Sequence, residues 1–340
     1  DALRLDAIHE IKDDAAAAAT PQRHVLAELS DAVAALSVEL GRPLSLVAEA
    51  DLNDVGVITP TSEEPPAKVP SLGMTAQWAD DVHHALHVRL TGEDQGYYGD
   101  FAEVGAWAKA YGRAFLHNGT WSTFRERNWG APVPEDTDPR RFVVFGSDHD
   151  QVGNRAVGDR PSVILDDAAL AATAALVLLS PYTPMLFMGE EWGTRTPFQF
   201  FTDHEEDDLA RSVSEGRVRE FAGFGWDADE IPDPQAAATV EVSRLRWSEL
   251  DEAEHARVLA WYQALTTLRR NLDWSQRTAW PQVDEIDDVL MVTYDDIVVA
   301  ANLSGQERPA PALSTVLLSW DPFDAAAPSL SPGQTLIARR

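Results

Sequence analysis

The chain has 340 residues, of which 44% are apolar and 11 are Trp, and its formal net charge is −29. This composition indicates a globular protein with a large core, and it disfavours nucleic acid or an anionic membrane as a partner because phosphates would be repelled. The absence of cysteine excludes disulfides, thiolate catalysis and cysteine-based zinc sites, and it fits a cytoplasmic location.

Strand and helix patterns alternate along the first part of the chain. A strand at the start is followed by a predicted helix with Thr20 as N-cap, Pro21 at the first helical position and Gly41 at the end. Further strands are predicted over 43–49 and 73–77, and the stretch 59–73 is predicted to be an exposed loop. Helices are predicted over 78–90 and 101–116. This order predicts a parallel sheet, either a barrel or a doubly wound fold.

The second part of the chain continues this pattern and then changes it. Strands are predicted over 141–147 and 185–188, and the apolar stretch 168–188 is predicted to be a buried helix, a turn and a strand because prolines interrupt it. An amphipathic helix is predicted over 249–270. The remaining β-pattern predicts a small antiparallel domain beginning near residue 276, with strands over 288–294, 297–303, 315–320 and 335–338.

Three predicted strands end in carboxylates. They deliver Asp6, Glu49 with Asp51, and Asp148 with Asp150. A (β/α) barrel builds its active site from strand ends in this way, and two carboxylates with a third acid are the groups that cleave a glycosidic bond. The alternative for any one of them is a cap or turn residue, since Asp is common after strands. Three such runs favour a catalytic site.

The motifs resemble those of the α-amylase superfamily of glycoside hydrolases. Arg4-x-Asp6-x-x-His9 resembles the nucleophile motif, Glu49 holds the position of the acid/base, and His149-Asp150 resembles the third motif. The sequence departs from the superfamily at residue 148, where Asp replaces the usual Asn. Further blocks resemble the maltooligosyltrehalose trehalohydrolase branch, and they lie at 48–54, 76–87, 152–155, 186–192 and 196–204.

The resemblance implies a fold and a division of the chain. A (β/α)8 TIM-type barrel is expected, with only strands four to eight present in residues 1–275, followed by a C-terminal antiparallel β-domain in residues 276–340. The superfamily motif Asp-x-x-x-Asn-His, which belongs to the third barrel strand, and the family's N-terminal β-domain are not found. The chain is therefore predicted to be the C-terminal portion of a longer enzyme, inactive alone.

The resemblance also implies a reaction. The expected enzyme is a retaining hydrolase that cleaves the α-1,4 bond next to the terminal trehalose unit of maltooligosyl trehalose and releases trehalose. Asp6 would be the nucleophile, Glu49 the acid/base and Asp150 the group that binds and distorts the sugar. No metal or cofactor is expected. The residues predicted to contact substrate are Arg4, His9, His149, Gln77, Trp78, Asp80 and Asp81.

Several alternatives remain open at this point. A glucan-branching enzyme of the same superfamily would use the same acids for transfer, and an inactive glucan-binding fragment would keep them unused. The run His83-His84-x-x-His87 lacks the Glu of a zinc motif, so sugar contact is favoured over metal. Aromatic residues after the last barrel strand either stack on sugars or pack in the core; they are Trp192, Phe198, Phe200 and Phe201.

Overall fold

The computed structural model describes residues 1–13, 23–65, 68–222, 227 and 230–340. Its strands are β1 (Ala2–Leu5), β2 (Ser45–Ala48), β3 (Ala76–Trp78), β4 (Thr120–Ser122), β5 (Arg127–Trp129), β6 (Phe142–Phe145), β7 (Thr183–Met185), β8 (Gln282–Ile286), β9 (Val289–Tyr294), β10 (Ile297–Asn302), β11 (Arg308–Pro309), β12 (Thr315–Ser319), β13 (Ser329–Leu330) and β14 (Thr335–Arg339). Its helices are α1 (Val25–Leu40), α2 (Asp80–Thr91), α3 (Ala106–Arg113), α4 (His149–Gly153), α5 (Pro161–Ile164), α6 (Asp167–Leu178), α7 (Asp207–Ala222), α8 (Ala237–Val242) and α9 (Ala253–Asn271).

Five strands form a parallel sheet in the order β1-β2-β3-β6-β7. Each neighbouring pair is parallel, and the pairs near the strand ends include Leu5 with Ala48 and Phe145 with Met185. The helices α1, α2, α3 and α6 lie between successive strands in the chain, as the alternating pattern predicts. Parallel strands bring their C-terminal ends to one edge of the sheet, and the candidate site lies at that edge.

Some element boundaries differ from those predicted. β7 lies at 183–185 and not 185–188, and the described sheet tolerates Pro184 there because β7 pairs only with β6. The helix predicted over 101–116 is shorter, because Gly105 adopts a left-handed φ of 86° ahead of α3 and residues 96–102 form a separate 3-10 helix. Trp78 ends β3 and does not begin α2.

Other helices agree better with the sequence pattern. α1 ends at Gly41, whose left-handed φ of 61° suits glycine. Its predicted start, Thr20 and Pro21, lies outside the described residues, and the described helix begins after His24, which accepts a hydrogen bond from the Leu26 amide. α6 is the predicted buried helix, whereas α7 was not predicted. Among the described residues, none of the helices combines the length and apolarity that crossing a membrane requires.

The C-terminal strands form the predicted antiparallel sheet, in the order β12-β14-β10-β9-β8. β9 and β10 are joined by a turn in which Asp295 has a φ of 50°, and β8 was not predicted. Phe142 of the parallel sheet belongs to the same buried apolar cluster as Leu290 and Val299 of the second sheet. The two sheets are thus parts of one packed structure, and a domain boundary at residue 276 stays a prediction.

Candidate active site

The first two predicted acids leave the parallel sheet side by side. The last residues of β1 and β2, Leu5 and Ala48, are paired. Beyond them the Glu49 amide donates to the Leu5 carbonyl at 2.9 Å, and the Ile8 amide donates to the Glu49 carbonyl at 3.1 Å. The strand ends are therefore tied together, and Asp6 and Glu49 lie at the same edge of the sheet.

One arginine contacts both carboxylates. Arg4 Nη1 lies 2.5 Å from Asp6 Oδ1, and Arg4 Nη2 lies 3.7 Å from Glu49 Oε2. Arg4 and Asp6 are two positions apart in an extended segment, which places them on the same face. The Ala7 amide also donates to Glu49 Oε2 at 2.6 Å. The Asp6 side chain is 70% exposed and that of Glu49 15%, so Asp6 is open to a ligand while Glu49 is held from two sides.

Trp78 connects this pair to the third motif. The Arg4 guanidinium lies 4.4 Å from the centre of the Trp78 ring, and the His149 ring meets Trp78 edge-on at 6.3 Å. His149 Nε2 is 3.5 Å from Asp150 Oδ2, and both side chains are about half exposed. The structure therefore places around one edge of the sheet the predicted residues Arg4, Asp6, Glu49, Trp78, His149 and Asp150.

Asp148 holds the third motif in place. Its Oδ1 accepts a hydrogen bond from the Gln151 amide at 2.8 Å, which makes it the N-cap of α4, and the first turn of α4 carries His149 and Asp150. Only 2% of Asp148 is exposed, and this burial raises the pKa of its carboxyl group to about 6. An Asn at this position could cap the helix equally well without a charge.

Asp148→Asn is expected to stabilise the folded protein at pH 8. The folded pKa lies above the ordinary value of 3.8, so ionisation of Asp148 costs stability increasingly as pH rises from about 4 to 6. A shift of about two units corresponds to about 3 kcal/mol at most. Thermal unfolding at pH 4 and pH 8 checks this. The variant should gain only at the higher pH, and exposed Asp94→Asn should gain at neither; equal gains at both would contradict the expectation.

Asp80, predicted to contact substrate, lies near the carboxylates. Burial, together with the negative charges of Asp148 and Glu49, raises the pKa of Asp80 well above its ordinary value. Its Oδ1 makes no hydrogen bond to any described residue. A protonated carboxyl group with a free oxygen beside Glu49 is suited to bind a hydroxyl group.

Two other predicted contacts point into the protein. Asp81 is 4% exposed and accepts hydrogen bonds from Asn53 Nδ2 (2.8 Å) and from the Leu116 (2.7 Å) and His117 amides. Gln77 is 1% exposed and donates to the Asp54 carbonyl. The structure does not bring these two side chains to the Arg4 group. Successive residues of a helix turn by about 100°, so Asp80 and Asp81 face different surroundings.

His9 and the helix histidines have different partners. His9 Nδ1 accepts weakly from the Asp51 amide at 3.4 Å, which links the ends of β1 and β2. His83 and His87 stack at 5.5 Å, and burial lowers the pKa values of both and that of His84 to about 3. Within the described residues, the groups compact enough to hold a metal comprise Glu252, Glu254 and His255, so the His83 run does not form such a group.

The aromatic residues after β7 separate into core and surface. Trp192 is 2% exposed and donates its indole N–H to Glu249, so it belongs to the core. Phe200 and Phe201 are each 40% exposed.

Residues between β3 and β6 were missed by the sequence analysis. The hydroxyls of Tyr97 and Tyr98 each lie 3.3 Å from Gln151 Oε1, and Phe124, which is 57% exposed, packs edge-on against Tyr97. The hairpin β4–β5 is tied to the end of β2 because Arg125 Nε donates to Asp51 at 3.0 Å. The hairpin strands have three residues each, too few for a periodic signal.

Comparisons with known proteins agree with this geometry, although no family model matches the chain. It is 45% identical over 340 residues to a malto-oligosyltrehalose trehalohydrolase of Arthrobacter ramosus, covering 99% of the chain and 57% of that protein. It is 44% identical over 333 residues to one of Mycobacterium tuberculosis (strain H37Rv), covering 94% of the chain and 54% of that protein.

A solved structure supports the same relationship. A Salmonella typhimurium protein assigned as an α-amylase is 34% identical, with a TM-score of 0.85, and the match covers 100% of the chain and 57% of that protein. The chain thus spans about half the length of the relatives it matches. It is a homologue of the malto-oligosyltrehalose trehalohydrolases over that part of their length, with the fold of the α-amylase family.

Proposed function

We propose that the chain carries the catalytic acids of a retaining glycoside hydrolase. The enzyme would cleave the α-1,4 bond next to the terminal trehalose unit of maltooligosyl trehalose and release trehalose. The observation that supports this most is the shared contact of Asp6 and Glu49 with the Arg4 guanidinium, at the ends of adjacent parallel strands. The names of the related proteins supply the substrate.

The geometry suits a two-step displacement. The exposed Asp6 carboxylate attacks the anomeric carbon and forms a glycosyl ester, while Glu49 gives its proton to the departing sugar oxygen. Water, deprotonated by Glu49, then hydrolyses the ester and restores both groups. Retaining enzymes need carboxyl groups about 5 to 5.5 Å apart, and two carboxylates that contact one guanidinium fit that spacing. Arg4 orients Asp6, and the Ala7 amide orients Glu49.

The remaining site residues would bind the sugar. Asp150 and His149, both exposed at the start of α4, would bind hydroxyl groups and stabilise the distorted ring. Asp80 would accept or donate a hydrogen bond through its free oxygen. Tyr97 and Phe124 offer aromatic faces on the same side, next to Gln151.

We further propose that β1, β2, β3, β6 and β7 are strands four to eight of a (β/α)8 barrel. Their parallel order and their motifs support this, and β1 and β7 each have one described neighbour in the sheet. The β-rich part from residue 276 would be the C-terminal domain, and the cytoplasm its location. We call the chain joined to the part of the relatives' length that it does not span the full-length enzyme.

Product analysis tests the proposed reaction. The full-length enzyme, incubated with maltooligosyl trehalose, is expected to release trehalose and a shortened maltooligosaccharide. The 340-residue chain alone is expected to release none, because three of the proposed barrel strands would be missing. New α-1,6 branches without free trehalose would instead identify a branching enzyme. Trehalose release by the chain alone would contradict the partial-barrel proposal.

A further inference from the structure

Glu190 follows β7, away from the acids described above, and connects three elements of the fold. Its Oε2 accepts hydrogen bonds from Ser147 Oγ at 3.3 Å and from the Phe187 amide at 3.0 Å. Its Oε1 accepts a hydrogen bond from the Tyr262 hydroxyl at 3.0 Å. One carboxyl group therefore joins the loop after β6, the turn after β7 and the helix α9.

The contact with Ser147 leads directly to the third motif. Ser147 is 4% exposed and precedes Asp148, the N-cap of α4. The approach of Glu190 to this loop is close, since a Cβ on Gly146 would lie 3.4 Å from Glu190 Oε1 and 2.7 Å from Thr173. Any displacement of this loop would move the start of α4, and with it Asp150.

Neutral donors hold the Glu190 carboxyl group. Within the described residues it forms no ion pair, although Arg160 lines the same cavity; the Arg160 guanidinium donates instead to the Thr196 and Met188 carbonyls. The charge of Glu191 also faces Glu190. Burial raises the pKa of Glu190 to about 7, against the hydrogen bonds from Phe187, Tyr262 and Ser147. A buried carboxyl group in this position needs all three donors to be in place.

We propose that Glu190 is a positioning residue for the glycosidase reaction: through Ser147 it fixes the loop that presents His149 and Asp150 at the edge of the sheet. The proposal rests on the proposed function, because the effect on catalysis requires that Asp150 act on the sugar. The effect on the loop itself does not require it, and the two can be measured separately.

A matched pair of variants tests the proposal. Ser147→Ala and Tyr262→Phe each remove one hydrogen bond to Glu190, but only Ser147 lies on the loop of the third motif. In the full-length enzyme, Ser147→Ala is expected to lower kcat about tenfold or more with little change in KM, since small displacements of catalytic groups are costly. Tyr262→Phe is expected to keep at least about half of the parental kcat, because α9 is held by other contacts.

Variants of Glu190 itself complete the test. Glu190→Ala removes all three acceptors and is expected to match or exceed the loss in Ser147→Ala. Glu190→Gln is expected to retain most activity, because its amide oxygen can accept from Ser147 and Phe187 while the Tyr262 hydroxyl turns to accept from the amide nitrogen. Should Glu190→Ala not fold, the Ser147 and Tyr262 pair still decides the proposal.

Hydrogen exchange of the 340-residue chain gives a readout without activity. Amides of residues 146–151 are expected to exchange faster in Ser147→Ala and not in Tyr262→Phe. Unchanged exchange in Ser147→Ala, or equal losses of kcat in the two variants, would overturn the positioning role. Faster exchange in an enzyme that releases no trehalose would instead refute the proposed function and leave the structural link intact.

Discussion

Asp6→Asn is expected to abolish turnover by the full-length enzyme while leaving substrate binding. An amide cannot form the glycosyl ester, and removal of an essential nucleophile costs several orders of magnitude in rate, about 10³-fold or more. The amide oxygen can still accept the hydrogen bond from Arg4, so the strand end should keep its conformation. Trehalose release under single-turnover conditions measures the loss, and calorimetry with the inactive variant measures binding.

Glu10→Gln is the matched control for Asp6. Glu10 is also an exposed acid close to the end of β1, but its contacts are with Lys12 and His9 and not with Arg4. It should retain parental activity. If Asp6→Asn kept a tenth of parental activity while Glu10→Gln behaved as expected, Asp6 would not be the nucleophile.

Glu49→Gln is expected to lower turnover of maltooligosyl trehalose by about 10²- to 10⁴-fold, the usual contribution of a general acid. The loss should depend on the leaving group. A glycosyl fluoride such as maltotriosyl fluoride departs without needing a proton, so its first step should be much less impaired. The amide oxygen of Gln can accept from the Ala7 amide as Glu49 does, which favours an unchanged backbone at the site.

The comparison of two substrates makes this prediction specific. A variant that is merely misfolded would lose activity on both substrates in parallel, and Glu39→Gln on the exposed face of α1 should lose activity on neither. Equal losses on the fluoride and on the natural substrate, with unchanged thermal stability, would show that Glu49 does not protonate the leaving group.

The sequence alone determined the elements whose signals are local. Acids that directly follow apolar runs placed Asp6, Glu49 and Asp150 at strand ends, and the alternating order of elements predicted the parallel sheet. The same holds for the buried helix α6 and the strands β9 and β10, whose patterns are long and continuous. Such features depend on residues close together in the chain, so they can be read without knowing the fold.

Only the tertiary structure decided which side chains share the site. Asp80 and Asp81 are adjacent in sequence, yet Asp80 lies beside Glu49 whereas Asp81 binds buried amides of another segment. Trp192 is in the core, and the missed Phe124 reaches the site through a hairpin anchored at Asp51. The link from Glu190 to Ser147 joins residues 43 positions apart. The direction of a side chain beyond a strand end depends on such long-range contacts, and local patterns carry no record of them.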